Sequence, residues 1–168
     1  MVIGIGGVST AGKTTLTALL KGYIKDKRIS TICQDDYVLP TSSIPKINDR
    51  VNWEHPDSID HSKFRQAILD DARSNDIVIA EGLMVFFDES TRKLFDKLIY
   101  IEIDFQTFKS RKSIDKRWGF EPNWYIQHIW DSFKTYGQIP ENHDAEYLII
   151  DGTIPFETNI IANYLNRK

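Results

Sequence analysis

Gly7-Val8-Ser9-Thr10-Ala11-Gly12-Lys13-Thr14-Thr15 reads as a complete G-x-x-x-x-G-K-[ST] phosphate-binding loop. Apolar Val2-Ile3-Gly4-Ile5 precedes it with the look of a buried strand, and Leu16, Leu19, Leu20 and Tyr23 follow at helical spacing. A loop between a strand and a helix is the context this motif requires. Its glycines let the backbone fold round a phosphate with N–H groups turned inward. The helix N-terminus behind the loop adds partial positive charge. Gly7, Ser9, Ala11, Gly12, Lys13, Thr14 and Thr15 are therefore the expected nucleotide-binding positions. Lys13 is placed to reach the β- and γ-phosphates and the Thr14 hydroxyl to bind Mg²⁺. A chance Gly-rich turn would not carry these flanks.

Working outward, the 168 residues suffice for one domain, 1–168, with a sizeable core. With 27% charged residues and a net charge of −3, nothing global points to nucleic acid or a membrane surface. Cys33 is the only cysteine, which excludes a disulfide framework and a cysteine-based metal site; it reads as a small buried residue near a strand end. No apolar run approaches membrane-spanning length. The first strand begins at once, leaving no room for a signal peptide, so the expectation is a cytoplasmic protein, monomer or homodimer.

Strands and helices alternate along the chain. Strands are expected at Ser30–Cys33, Ile77–Ala80, Leu98–Ile103 and Tyr147–Ile150. Residues 34–56, with Pro40, Pro45 and Pro56, read as one long loop, and loops of that length are usually functional. Asp57 or Ser58 is the expected cap of a helix through about Arg73, with Ile59, Phe64, Ala67, Ile68 and Ala72 inward. Further helices are expected at Ser90–Phe95, from an Asp104 cap to about Ser113, at Asn123–Thr135 and at Phe156–Leu165. This alternation predicts an α/β fold: a doubly wound, five-stranded parallel sheet with helices on both faces. Ligands of such sheets bind at the carboxyl ends of the strands.

Three of those strand ends carry acids. Asp35 and Asp36 follow the second strand, Glu81 the third and Asp151 the fifth. A carboxylate facing the γ-phosphate can accept a proton from an attacking hydroxyl, which fits Asp35; one after the third strand can orient Mg²⁺ or its waters, which fits Glu81. Asp151-Gly152-Thr153 serves equally as a turn or as a nucleotide contact. Arg111, Lys112, Lys116 and Arg117 gather before Gly119, a composition suited to a lid at about 111–121 that neutralises phosphoryl charge; a solvated helix face is the plainer reading of any one of them. Trp53 and Trp118, in loops beside acids, suit a flat ligand, whereas Trp124 and Trp130 read as core. His55, His61, His128 and His143 show no metal spacing.

The motifs Gly7–Thr15, Gln34-Asp35-Asp36-Tyr37, Asn52-Trp53-Glu54-His55-Pro56-Asp57, Ile79-Ala80-Glu81-Gly82 and Tyr147–Thr153 resemble, in order and spacing, the uridine kinase and nicotinamide riboside kinase family over nearly the whole chain. The resemblance implies the P-loop NTPase fold of nucleoside and nucleotide kinases. It also implies γ-phosphate transfer from ATP, with Mg²⁺, to a ribose 5′-hydroxyl. On this pattern Asp35, Lys13 and Arg111 are catalytic, and Thr14 and Glu81 serve Mg²⁺. Arg111 and Thr153 join the nucleotide contacts, and Asp35, Tyr37, Trp53, Glu54, Lys112, Trp118 and Glu121 meet the substrate. Glu54 stands where uridine kinases carry aspartate. The chain lacks their R-G-R lid signature, and its Lys109–Trp130 stretch looks more like nicotinamide riboside kinases, where two aromatics sandwich the base. A pyridinium cation between tryptophan faces gains about 0.5–2 kcal/mol, which neutral uracil would not. A GTPase switch is disfavoured because N-K-x-D and D-x-x-G are both missing. A nucleotide sensor without turnover would have no use for Asp35.

Overall fold

β1 (Val2–Gly7) is paired along both edges, so Ile3 and Ile5 lose all contact with water. The chain continues through the phosphate-binding loop into α1 (Lys13–Tyr23) and β2 (Ile29–Cys33). A small hairpin, β3 (Lys46–Ile47) and β4 (Arg50–Val51), comes next, then α2 (His61–Ser74), β5 (Ile77–Gly82), the short α3 (Glu89–Arg92) and β6 (Lys97–Glu102). α4 (Phe105–Ile114), α5 (Asn123–Tyr136), β7 (Tyr147–Asp151) and α6 (Thr158–Leu165) complete it. This computed structural model describes residues 1–117, 119–140 and 146–167; the expectations for Trp118 and His143 lie outside them.

The main sheet has the order β2-β5-β1-β6-β7 and every pair is parallel. The five-stranded parallel sheet is thus as expected. The strand order reverses at β1, and a crevice opens at such a switch point beyond the carboxyl ends of the strands. The phosphate-binding loop leaves β1 into that crevice. β5 is buried at all six residues, while β7, at the edge, alternates. α1 packs against α6, α2 against α3 and α4 against α5. Among the described residues no helix is long and apolar enough to cross a membrane.

The segment 34–56 differs from the single loop expected. It contains 3₁₀ turns at Gln34–Tyr37 and Thr41–Ser43 and the β3–β4 hairpin, with a third turn, Pro56–Ser58, at its end. Asn48 and Asp49 join the hairpin with φ of 45° and 61°, the left-handed conformation these two residue types tolerate best in a tight turn. α2 starts at His61 and is capped by Asp60, whose carboxylate accepts from Lys63 N–H. Asp57 and Ser58 are unavailable as caps: Asp57 N–H donates to His55 Nδ1 and Ser58 Oγ to the Trp53 carbonyl. Phe64 and Ile68 face inward as expected, but Ala72 is exposed. The last helix begins two residues later than expected. Trp130 packs edge-on to Phe105 and beside Phe108, as a core residue should. Trp124 does not; it is exposed on the first turn of α5. Cys33 is half-buried at the end of β2, and burial pushes its thiol up to about 11.

Candidate active site

The phosphate-binding loop is closed by Ala11 N–H donating to the Val8 carbonyl, at 3.1 Å. Gly12 takes φ of 109° and Thr10 φ of 63°, so the turn into α1 passes through left-handed backbone that glycine adopts without strain. Lys13 arches back, its Nζ donating to the Val8 carbonyl at 3.1 Å. Burial pushes the Lys13 ammonium down; the charges of Glu81 and Asp35, then Cys33 and Glu54, pull it back up. Those acids therefore surround one cation.

Glu81 is nearly fully buried as the penultimate residue of β5, level with Ile5 and Cys33 on the flanking strands. Thr14 Oγ1 donates to Glu81 Oε1 at 2.6 Å. A hydroxyl and a carboxylate oxygen converging in this way suit Mg²⁺, which takes one or two protein oxygens and completes its shell with water and phosphate. Asp35 and Asp36 are exposed on the 3₁₀ turn after β2. That turn is held by Gln34, whose buried Oε1 accepts from Met84 N–H at 3.0 Å. A Cβ on Gly82 would come within 2.4 Å of the same oxygen, so only glycine lets the two strand ends sit this close.

Glu54, in the turn after β4, belongs to the same group of charges. Burial pushes its carboxyl up to about 7; Lys112 opposes this, Asp35 and Glu121 add to it, and Lys13 opposes it. Lys112 is itself buried, with Nζ 2.9 Å from Glu121 Oε2. The two form an ion pair, although the angle is outside hydrogen-bond geometry. Both were expected at the substrate, and the structure pairs them with each other beside Glu54. Trp53 is exposed on the adjoining turn.

Arg111, Thr153 and Tyr37 each have partners within the protein. Arg111 was expected in the lid and at the reacting phosphate. It lies instead in the last turn of α4, where its guanidinium donates to the Thr10 carbonyl at 3.2 Å and to the Gly152 carbonyl at 2.8 Å. It thus ties the phosphate-binding loop to the turn after β7. Thr153, in that turn, donates from both N–H and Oγ1 to Asp151 Oδ1. Tyr37 sets its ring edge-on against Phe64, 5.4 Å between centroids, and so anchors the turn after β2 on α2.

No family model matches the chain. A uridine kinase of Lactobacillus helveticus is 29% identical over 130 residues, covering 62% of each chain. Nicotinamide riboside kinase 1 of Mus musculus is 25% identical over 169 residues, covering 90% of this chain and 86% of the mouse protein. The solved deoxyadenosine kinase of M. mycoides superposes with a TM-score of 0.58 at 18% identity, covering 99% of this chain and all of the other. The chain is thus similar to uridine kinases and to nicotinamide riboside kinases, at 25% to 29% identity. It spans under two thirds of the length of two of the uridine kinases it matches, 62% for L. helveticus and 58% for Chlamydia pneumoniae. The solved structure shares the α/β fold that the sheet order already displays.

Three residues make contacts that the sequence did not reveal. Gln34 looked like a spacer before the two aspartates; only its buried Oε1 shows that it fastens one strand end to the other. Gly82 was quoted as part of a motif with no reason for its being glycine. Arg117, one cation among four, flanks a cleft with Thr14 and Thr15 and pairs with Asp115 at 2.7 Å, which raises its guanidinium above the usual value; the charges of Asp35 and Glu81 add to this. The Asp104 cap was the available signal, because a ten-residue helix from it takes in Arg111 and leaves Arg117 on the segment beyond.

Proposed function

We propose that the chain is an ATP-dependent nucleoside kinase that transfers the γ-phosphate to a ribose 5′-hydroxyl, with nicotinamide riboside as acceptor and nicotinamide mononucleotide as product. One observation carries the reading: at the mouth of the phosphate-binding loop Thr14 Oγ1 donates to Glu81 Oε1 at 2.6 Å, and Asp35 stands on the turn that leaves the neighbouring strand end. A binding protein without turnover has no need of an acceptor-side carboxylate there. In this reading Lys13 and the loop N–H groups hold the β- and γ-phosphates. Thr14 and Glu81 would hold Mg²⁺, which when bound neutralises charge on those phosphates. Asp35 accepts the proton as the 5′-oxygen bonds to the γ-phosphorus, and the bond to the β-γ bridging oxygen breaks to release ADP. Arg117 stabilises charge on the transferring group. Glu54 faces the ribose hydroxyls. Thr153 and Arg111 border the donor nucleotide, Arg111 through the backbone it grips.

The choice of base rests on charge. A pyridinium between Trp53 and Trp118 gains cation–π attraction, and Glu54 and Glu121 add to it. Uridine or cytidine is the second reading, favoured by the Asn52–Asp57 stretch and its likeness to uridine kinases. A kinase drawing on the cellular ATP pool works in the cytoplasm, the setting we propose, as monomer or homodimer. A panel of nicotinamide riboside, nicotinic acid riboside, uridine and cytidine with ATP and Mg²⁺ separates the readings. The expected result is the highest kcat/KM for nicotinamide riboside, and a KM for it that rises more in Trp53→Ala than the KM for uridine. Equal losses for both substrates would favour the uridine reading.

A further inference from the structure

The second turn of α5 lies beneath the acceptor segment. There His128 Nε2 is 2.7 Å from Asn52 Oδ1. With an amide oxygen facing it, Nε2 carries the proton and donates. Burial pushes the imidazole down, which keeps the ring neutral and this tautomer in place at neutral pH. Asn52 is buried and held on its other sides too: its N–H donates to the Pro45 carbonyl at 2.8 Å, and its carbonyl accepts from His55 N–H at 3.3 Å. One turn earlier on α5, the Tyr125 hydroxyl donates to the Val51 carbonyl at 3.4 Å, and Arg50 sits over the Tyr125 ring at 5.5 Å. Ser132 Oγ, one turn later, is 3.4 Å from the same His128 nitrogen. α5 is thus a floor under Arg50–Asn52, and the next two residues are Trp53 and Glu54.

We propose that His128 is a positioning residue for the acceptor: by donating to Asn52 Oδ1 it fixes the turn that presents Trp53 and Glu54 to the nucleoside. The inference rests on the kinase reading only for what those two residues bind. Its geometry has a consequence for the reaction cycle. α5 begins two residues after Glu121, whose pairing with Lys112 closes the base of the lid, so a shift of α5 moves the lid base and the acceptor turn together. An apolar side chain at position 128 would fill the space but leave the buried Asn52 oxygen without its donor.

The test compares His128→Ala, His128→Gln, Asn52→Ala and the double Ala variant, each checked by thermal melting. Two readouts are followed: KM for nicotinamide riboside and for ATP, and hydrogen exchange across residues 50–56 in the ligand-free protein. Loss of one buried hydrogen bond should raise the nucleoside KM about tenfold in either single Ala variant, with no further rise in the double. The KM for ATP should stay within about twofold, since loosening the acceptor turn does not touch the loop that binds the donor. Exchange across 50–56 should quicken about tenfold while β5 is unaffected. His128→Gln, which keeps an N–H donor, should recover most of the loss. If His128→Ala does not fold, Asn52→Ala and His128→Gln carry the same comparison. Unchanged exchange across 50–56, or equal rises in both KM values, would overturn the proposal. Should the wild-type protein phosphorylate no nucleoside, the kinase reading fails and the exchange result still decides the role of His128.

Discussion

Asp35 and Asp36 are adjacent on a 3₁₀ turn, so the alternation of a β-strand does not separate their roles. What separates them is the company they keep: Lys13, Glu54 and Arg117 all feel the charge of Asp35. Asp35→Asn should therefore lower kcat by about 10²–10⁴ with little change in ATP binding, and Asp36→Asn should cost much less. A larger loss for Asp36→Asn in steady-state kinetics would reverse the assignment. Glu54 makes a pH prediction. Its carboxyl is pushed up to about 7 from the usual 4.5, so it is neutral below that pH and anionic above it. The kcat/KM for a cationic riboside should rise as pH passes from 6 to 8, and the rise should flatten in Glu54→Gln. Between pH 4.5 and 7 the folded state holds a proton that the unfolded chain has released, so this group's contribution to stability falls as pH rises. Glu54→Gln should therefore melt higher than wild type at pH 8, with the two converging near pH 4; a constant offset would contradict the shift.

At the scale of elements, the sequence displayed what repeats and hid what does not. Strands and helices several residues long carry periodicity, and Asp104 announced α4 as its cap. The β3–β4 hairpin contributes two residues per strand, too few for alternation to show. The α2 cap shifted to Asp60 because a 3₁₀ turn consumed the two better-looking candidates upstream. The same limit left the four cations of the lid segment undistinguished. Both arginines read alike in a cationic run, and only the extent of α4 decides that Arg111 grips backbone while Arg117 lies beyond the helix, paired with Asp115. Arg117→Ala should lower kcat by about 10² at nearly unchanged thermal stability, as expected for a lost transition-state cation. Arg111→Ala should instead raise the KM for ATP and lower the melting temperature, since it releases the Thr10 and Gly152 carbonyls. If the two variants exchanged phenotypes, the placement of the lid cation would be wrong.

For the whole molecule, the fold was legible because a phosphate-binding loop between strand and helix, followed by alternating elements, admits few topologies. The set of acids at the strand ends was legible for the same reason: the topology brings those ends together. Side-chain partnerships were not. Lys112 pairs with Glu121, Gln34 accepts from Met84 N–H, and His128 reaches Asn52, all across stretches of sequence that spacing alone does not connect. The central claim is that this arrangement moves phosphate from ATP to a nucleoside. The most direct measurement is ³¹P NMR, with mass analysis, of wild-type protein and Lys13→Ala incubated with ATP, Mg²⁺ and nicotinamide riboside. The account predicts a new 5′-monophosphate resonance and equimolar ADP with wild type, and a rate lower by orders of magnitude in a folded Lys13→Ala. ATP left intact by the wild type, or ADP and free phosphate formed with no nucleotide product, would contradict it.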